Sequence, residues 1–149
     1  MTDYNLTQEE AKKLLFMEKV CNDEKEHLFP QTGGALSLPL FSLDHREEFV
    51  LDLSRGRIDL AKVKYQNRAR QVVVLARLDL AGPPHRNPDG VEIPCPHLHL
   101  YRVGFGDKWA EPLPEMVFAN PTDLWQTLQD FYKYCHIMLP PRIQPGLFL

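Results

Sequence analysis

The sequence predicts a single α+β domain, in which one antiparallel meander of about five strands carries an N-terminal and a C-terminal helix packed on it. Three observations support this prediction: an apolar helical stripe at each end of the chain, alternating apolar residues through its centre, and short turn sequences between the alternating runs. A length of 149 residues with 44% hydrophobic residues suits one core. The short turns favour antiparallel hairpins over crossover units.

Helix signals stand at both ends of the chain. Thr7 and Glu10 have the spacing of a capping box, so a helix is predicted from about Gln8 to Cys21. Near the other end, Asn120 is the expected N-cap and Pro121 the expected first helical residue. Each helix carries an apolar stripe, which predicts a face that packs on the sheet.

Strand signals fill the centre of the chain. Alternating or continuous apolar residues predict strands at 36–40, 48–53, 61–65, 71–79 and 97–103. The run from Val72 to Ala76 is apolar in succession, so this strand is expected at the centre of the sheet. Pro39 predicts an edge position for the first strand, and Gln66 with Asn67 predicts a turn. The proline-rich segment 82–96 predicts a loop.

The charge distribution is uneven. The net charge is -3, yet the stretch from Arg55 to Arg77 contains seven basic residues against the acid Asp59. Such a basic face predicts binding of a phosphate backbone, although solvated outer faces of strands would have the same composition. The residues predicted to bind nucleic acid are Arg55, Arg57, Lys62, Lys64, Arg68, Arg70, Arg86 and Trp109.

Composition also bears on compartment and cofactors. No stretch approaches the roughly 18 apolar residues of a membrane span, and the acidic start differs from a secretory signal. A cytoplasmic protein without a membrane partner is predicted. Cys21, Cys95 and Cys135 are widely spaced, so reduced thiols are expected. The chain lacks phosphate-loop and dinucleotide motifs, and we expect no cofactor.

The residues that could carry chemistry concentrate between positions 85 and 109. If Leu98 and Leu100 face the core, alternation projects three polar side chains from the other face of the same strand, about 7 Å apart. These would meet a cleft shared with the preceding loop, which suits acid–base chemistry. The predicted catalytic residues are His85, His97, His99, Tyr101 and Lys108.

Other interpretations of this cluster stay open. The HxH pair, with His85 or Cys95 as a third ligand, could form the open zinc site of a metal-dependent hydrolase. Cys95 could also be a nucleophile assisted by His97, although residues of that spacing seldom bring a thiol and an imidazole into contact. Finally, the strand could be an ordinary solvent-facing one beside a tight loop.

A resemblance sharpens the functional prediction. The segment GPPHRNPDGVEIPCPHLHLYRVGFGDKWA, preceded by YQNRARQVVVLARLDL, is similar to an uncharacterised family of small bacterial and phage-borne proteins. More loosely, a histidine-rich strand after a polar loop resembles the small ribonuclease toxins of toxin-antitoxin systems. That likeness implies endoribonuclease activity on RNA without a metal, by means of His, Arg, Lys and Tyr side chains.

The likeness to ribonuclease toxins also implies a mechanism. His97 or His99 would take the proton of a ribose 2'-hydroxyl, and the other histidine or His85 would protonate the leaving 5'-oxygen. The phosphate would be stabilised by Arg86, Arg102 or Lys108. Tyr65, Tyr101 and Trp109 would stack on unpaired bases.

The competing prediction is a non-enzymatic binding module of phage or toxin-antitoxin origin. It would bind a protein, such as a cognate antitoxin or a host target, or a nucleic acid. The same polar face and the apolar C-terminus from Leu147 to Leu149 would make the contact. An enzyme needs His97 and His99 as they are, whereas a binding face can exchange them.

Overall fold

A computed structural model of the chain describes residues 5–146. Its helices are α1 Gln8–Phe16 and α2 Leu124–Tyr134. Its strands are β1 Lys19–Val20, β2 Glu26–Leu28, β3 Ala35–Ser42, β4 Glu48–Arg55, β5 Val63–Ala69, β6 Val73–Asp79, β7 His85–Arg86, β8 Glu92–Ile93, β9 His97–Leu100, β10 Ala110–Pro112, β11 Ile137–Leu139 and β12 Arg142–Gln144. The predicted α+β class agrees with this content. The apolar C-terminus predicted to bind a partner lies outside the described residues.

The main sheet has eight strands in the order β10-β9-β6-β5-β4-β3-β1-β11. Its neighbours are antiparallel except β1 and β11, which are parallel. Two further ladders pair β2 with β12 in parallel and β7 with β8 antiparallel. The prediction of about five strands in one meander is therefore wrong in strand number. The missed strands have two or three residues each, which is too short for a period of two to be visible.

One face of the sheet carries the core. Leu98 of β9 and Tyr65 of β5 are completely buried there. Leu14 of α1 and Phe131 of α2 belong to the same apolar cluster. Because both helices contribute to this one cluster, they lie on the same side of the sheet, as the sequence predicts.

The helix boundaries differ from the predicted ones at two places. The predicted capping box is present, because Thr7 accepts from the Glu10 amide and Glu10 accepts from the Thr7 amide. However, α1 ends at Phe16, since Lys19 then begins strand β1. The N-cap of α2 is Asp123 instead of Asn120.

The turn between β5 and β6 does not lie where the sequence predicts it. Gln66 and Asn67 lie inside β5, and the turn falls at Arg70 and Gln71, which have φ of 49° and 68°. Asn67 stays in the strand because its side-chain amide donates to the Val50 carbonyl 3.3 Å away on β4. Strand β6 lies between β5 and β9, so its predicted central position is correct.

None of the helices within residues 5–146 has both the length and the apolar character needed to cross a membrane.

Candidate functional site

Two rows of cross-strand neighbours position the site on the face opposite the core. In register, Lys64 of β5 lies beside Asp79 of β6, which lies beside His97 of β9. In the next row, Arg77 of β6 lies beside His99 of β9. We call Arg77, Asp79, His97 and His99 the His-Asp-Arg cluster. Alternation along each strand turns these side chains away from the core, because their neighbours Leu78 and Leu98 point into it.

The cluster is nevertheless buried. His97 and His99 are each 1% exposed, and Asp79 is 7% exposed. The segment 81–96 covers them from one side, and the turn 101–109 covers them from the other, through the contacts described below. The sequence predicts that the two histidines reach a cleft shared with the loop around His85. They do lie beside His85, but they are buried because the proline-rich segment folds back over the strand that follows it.

Asp79 and Arg77 hold the cluster together. The Oδ2 atom of Asp79 lies 3.2 Å from His97 Nε2 and 3.5 Å from His99 Nε2. The guanidinium of Arg77 donates to Asp79 Oδ1 at 3.0 Å and to Asp107 Oδ2 at 2.9 Å. Its Nη2 atom lies 3.1 Å from His99 Nε2. The cluster therefore joins two strands and a loop through one carboxylate and one guanidinium.

The contacts of the outer ring nitrogens orient both histidines. The Nδ1 atom of His97 lies 3.1 Å from the Ile93 carbonyl oxygen, and that of His99 lies 2.8 Å from the Asp107 carbonyl oxygen. A carbonyl oxygen can only accept, so each Nδ1 carries the proton in these bonds. Both Nε2 atoms then face Asp79, and the Nε2 atom of His99 also accepts from Arg77 Nη2.

Burial sets the charge states of the cluster. Burial alone would raise the pKa of Asp79, but the contact with His99 and the charges of Arg77 and Lys64 hold that pKa well below its usual range. The pKa of His97 is lowered, chiefly by burial, against the opposing effect of Asp79. Asp79 is consequently ionised at neutral pH, and its charge is balanced mainly by Arg77.

His85 is the imidazole of this region that reaches solvent. It lies on β7, is half-buried, and packs its ring edge-on against His99 with centroids 4.5 Å apart. Its Nε2 atom is 2.7 Å from the Lys108 carbonyl oxygen, so Nε2 carries the proton there. The Nδ1 atom is left as an acceptor. The structure therefore brings His85, His97 and His99 together, with one of the three at the surface.

A buried asparagine fastens the covering segment. The side chain of Asn87 donates to the Ala110 carbonyl at 2.9 Å and accepts from the Ala110 amide at 2.8 Å. This pair of bonds continues the edge of the sheet from β10 to the hairpin that carries His85. The Asn87 amide thus reproduces the hydrogen-bond pattern of a strand neighbour and joins the β7–β8 hairpin to β10.

Tyr101 does not belong to the site. Strand β9 ends at Leu100, and the Tyr101 ring packs into the core cluster. Its hydroxyl donates to the Leu6 carbonyl at 2.7 Å and accepts from the Leu6 amide at 2.9 Å. The prediction that alternation continues to residue 101 is wrong because the strand stops one residue earlier, and the hydroxyl is fully occupied in fastening the segment before α1.

The other predicted residues around the cluster differ in how far their side chains reach solvent. The side chains of Lys108 and Arg86 are exposed, and Lys108 holds His85 through its main chain. The ring of Trp109 is covered by the Arg102 guanidinium, 4.0 Å from its centroid, and touches Phe105 edge-on. One face of the indole is thus occupied by Arg102, and stacking of a base on the other face stays a prediction.

Several arginines of the predicted basic face form hydrogen bonds or ion pairs with other residues of the protein. Arg55 is 8% exposed and donates to the Leu60 carbonyl, so little of its side chain reaches solvent. Arg68 forms a two-bond pair with Asp52, at 2.6 and 2.9 Å. Arg70 pairs with Glu47 and Glu10. The sequence predicts too many solvent-facing arginines, because the acids that pair with them become neighbours only through the pairing of the strands.

Besides the buried Arg55, three basic residues of the stretch line an open cleft. Arg57, Lys62 and Lys64 border a cavity of about 450 Å³ together with Ser54 and Asp59. The ion pairs found among residues 5–146 include none of these three basic side chains. We call this the basic cleft. It adjoins the His-Asp-Arg cluster, because Lys64 is the register partner of Asp79.

Cys95 touches the cluster from the covering segment. Its sulfur lies 3.5 Å from His97 Nδ1, a contact that the sequence spacing made improbable. Burial, followed by the nearby charge of Asp79, raises the pKa of this thiol, against the effect of Lys64 and Lys62. A raised pKa disfavours the thiolate that a nucleophilic cysteine needs.

Sequence reasoning missed Arg77 and Asp79 as members of the site. Both stand on the central strand, which is otherwise apolar, and they are two residues apart, so they share a face. Charged residues that alternate on a central strand are expected to need partners. This signal was present, but the identity of the partners depends on the pairing of β6 with β9.

Fold and site together define a class of protein: an α+β protein with a mostly antiparallel sheet, which buries a His-Asp-Arg cluster under a short hairpin. The chain belongs to DUF6978, a family of unknown function, whose model matches residues 6–137. The matched range includes the whole cluster, His85 and the basic cleft. No curated protein and no solved structure matches the chain. The predicted membership of an uncharacterised family is confirmed, whereas the likeness to ribonuclease toxins stays a prediction.

Proposed function

We propose that this protein cleaves RNA without a metal ion, with His85 as the imidazole that contacts the substrate. The observation that carries the proposal is the setting of the His85 ring. It is held between the Lys108 carbonyl, 2.7 Å away, and the edge of His99. Nδ1 is left as an acceptor, and Lys108, whose carbonyl holds the ring, has an exposed side chain. An imidazole acceptor held by the residue that also carries an exposed ammonium group offers the two groups that proton transfer at a phosphate ester requires.

The proposed reaction follows from these two side chains. His85 Nδ1 accepts the proton of the ribose 2'-hydroxyl, and the 2'-oxygen forms a bond to phosphorus. The bond from phosphorus to the 5'-oxygen breaks, and Lys108 stabilises and protonates that leaving oxygen. The products are a 2',3'-cyclic phosphate and a 5'-hydroxyl end. DNA lacks the 2'-hydroxyl and is not a substrate for this reaction.

The buried cluster has a supporting role in this proposal. His99 supports the ring of His85, while Arg77 and Asp79 fix His99. His99 and Asp79 are almost completely buried and Arg77 is partly buried, so we expect them to act on the substrate through His85. His97 and His99, predicted from the sequence as the acid and base, become positioning residues.

The basic cleft supports RNA as the substrate. Arg57, Lys62 and Lys64 are arginine and lysine side chains outside the ion pairs of the described residues, and they adjoin the cluster through Lys64. A row of such cations holds a phosphate backbone by releasing its counterions. A strand held in the cleft would pass close to the cluster, and this proximity favours RNA over a small phosphate ester.

The deciding experiment incubates a labelled single-stranded RNA with purified protein in the presence of EDTA. We expect cleavage by the wild type, and a loss of more than about 100-fold in His85→Ala and in His99→Ala, the loss typical of a removed acid or base or of its support. His45→Ala is the matched control, because His45 is exposed on the turn between β3 and β4. The 2'-deoxy form of the same oligonucleotide should stay intact.

Two outcomes would contradict the proposal. One is the absence of cleavage by well-folded wild type, and the other is cleavage that EDTA abolishes. RNA binding without cleavage would instead favour the binding module, for which the burial of His97 and His99 is the supporting observation.

A further inference from the structure

Asp79, His97 and His99 each offer one ligand atom, and these atoms lie within 4.8 Å of one another. We propose that the three residues form a binding site for a divalent transition-metal ion, for which Zn²⁺ is the probe. The inference goes beyond the proposed RNA cleavage, which needs no metal. It differs from the predicted zinc site, because the third ligand is a carboxylate of β6 in place of His85 or Cys95.

The spacing of the ligand atoms fits a small tetrahedral ion. With bonds of about 2.0 to 2.1 Å, two ligands of a tetrahedral zinc ion lie about 3.4 Å apart. Asp79 Oδ2 lies 3.2 Å from His97 Nε2 and 3.5 Å from His99 Nε2. Two of the ligand-to-ligand distances that a tetrahedral zinc ion requires are thus already present. Both come from adjacent strands, which are rigid supports for a metal site.

The outer contacts of both histidines orient them for a metal. Ligating histidines usually donate their second ring nitrogen to a carbonyl or a carboxylate, which fixes the ring and its tautomer. The Ile93 carbonyl does this for His97, and the Asp107 carbonyl does it for His99. Each Nε2 lone pair therefore points inward, where Asp79 adds a carboxylate oxygen. Two imidazoles and one carboxylate suit zinc, cobalt or nickel better than magnesium or calcium.

Arg77 competes with the ion for this position. Its Nη2 atom lies 3.1 Å from His99 Nε2, the ring nitrogen that would have to coordinate the metal. The guanidinium also bonds Asp107 and the other oxygen of Asp79, so only one of these three contacts has to be lost when the metal binds. The arginine acts as an internal cation that the metal displaces from His99, and its removal should strengthen metal binding.

Isothermal titration calorimetry of the metal-free full chain with Zn²⁺ at neutral pH tests the site. We expect one ion per chain in the wild type and a more than about 100-fold weaker affinity in Asp79→Asn and His99→Gln. Arg77→Met should bind about 10-fold more tightly, as expected when a competing neighbour of a ligand is removed. Every variant is checked for folding by thermal melting.

Controls separate this site from the thiols and from the proposed cleavage. Cys95→Ser should bind Zn²⁺ as the wild type does, and Co²⁺ substitution should give a tetrahedral visible spectrum without thiolate charge transfer. Absence of binding to the wild type would overturn the inference, as would unchanged binding in both ligand variants. RNA cleavage in EDTA is measured separately, so failure of one proposal leaves the other standing.

Discussion

Asp79 Oδ2 and His97 Nε2 lie 3.2 Å apart across the pair of strands β6 and β9, on the face of the sheet that does not carry the core. The contact joins residues that are 18 positions apart in the chain. Around it, one carboxylate meets two imidazoles and a guanidinium under a hairpin that excludes water. The stability of this region and the chemistry proposed for His85 therefore involve the same few side chains.

Replacing the buried carboxylate should be costly. Asp79→Asn removes the charge that balances Arg77 and leaves this partly buried cation beside a neutral amide. We expect the free energy of unfolding to fall by about 2 to 4 kcal/mol, somewhat less than for a fully broken buried pair because Arg77 keeps Asp107. Urea denaturation measures this loss.

The matched control for that experiment is Asp52→Asn. Asp52 pairs with Arg68 on the same face of the sheet, where its side chain is 19% exposed, against 10% for Asp79. A loss of about 1 kcal/mol is expected there, because solvent screens the pair. Equal losses at the two positions would mean that the cluster is no more tightly coupled than an ordinary surface pair.

The hydroxyl of Tyr101 should matter for stability. Tyr101→Phe leaves both the amide and the carbonyl of Leu6 without their buried partner. We expect a loss of about 1 to 3 kcal/mol in the free energy of unfolding. Tyr65→Phe serves for comparison, since the Tyr65 hydroxyl makes a single bond, to the Leu124 carbonyl. A smaller effect at Tyr101 than at Tyr65 would argue against its fastening role.

Lys19 should make stability rise in mildly alkaline solution. Its ammonium is completely buried and donates to the carbonyls of Leu15, Met17 and Cys135. Burial lowers the pKa of Lys19 from 10.5 to about 8. Below pH 8 both the folded and the unfolded state hold this proton, whereas between about pH 8 and 10.5 the unfolded state holds more of it. Stability therefore increases with pH in this window.

The measurement for Lys19 compares wild type with Lys19→Met. Between pH 7 and 9.5, the free energy of unfolding of the wild type should gain up to about 2 kcal/mol relative to the variant, at 1.36 kcal/mol per unit of pKa. Tyrosine and cysteine titrations are common to both proteins and largely cancel in the difference. A difference that stays constant with pH would show that Lys19 keeps an ordinary pKa.

The basic cleft should set the salt dependence of RNA binding. Lys62→Ala with Lys64→Ala should weaken binding and reduce the slope of log affinity against log salt by about 1.4, at about 0.7 for each phosphate contact of a single strand. Lys13→Ala with Lys133→Ala removes the same charge from exposed positions on α1 and α2, on the other side of the sheet. If both double variants change the slope equally, the cleft has no special role.

Local patterns predicted much of the secondary structure. The capping box at Thr7, the central position of β6 and the helices on one side follow from spacing and periodicity, and all are present. Short edge strands were missed because pairing partners, not their own residues, hold them in the sheet. The start of α2 was placed too early because Asn120 and Asp123 are equally good caps in sequence, and only the packed chain selects Asp123.

For the site, the sequence by itself determined that His97 and His99 share a face of β9 opposite Leu98, because alternation is a property of the strand backbone. Tertiary structure decided the rest. The register of β6 against β9 brought Asp79 and Arg77 to the histidines. The fold of the segment 81–96 buried them and left His85 at the surface. These outcomes depend on contacts between residues far apart in the chain, and no local pattern encodes such pairings.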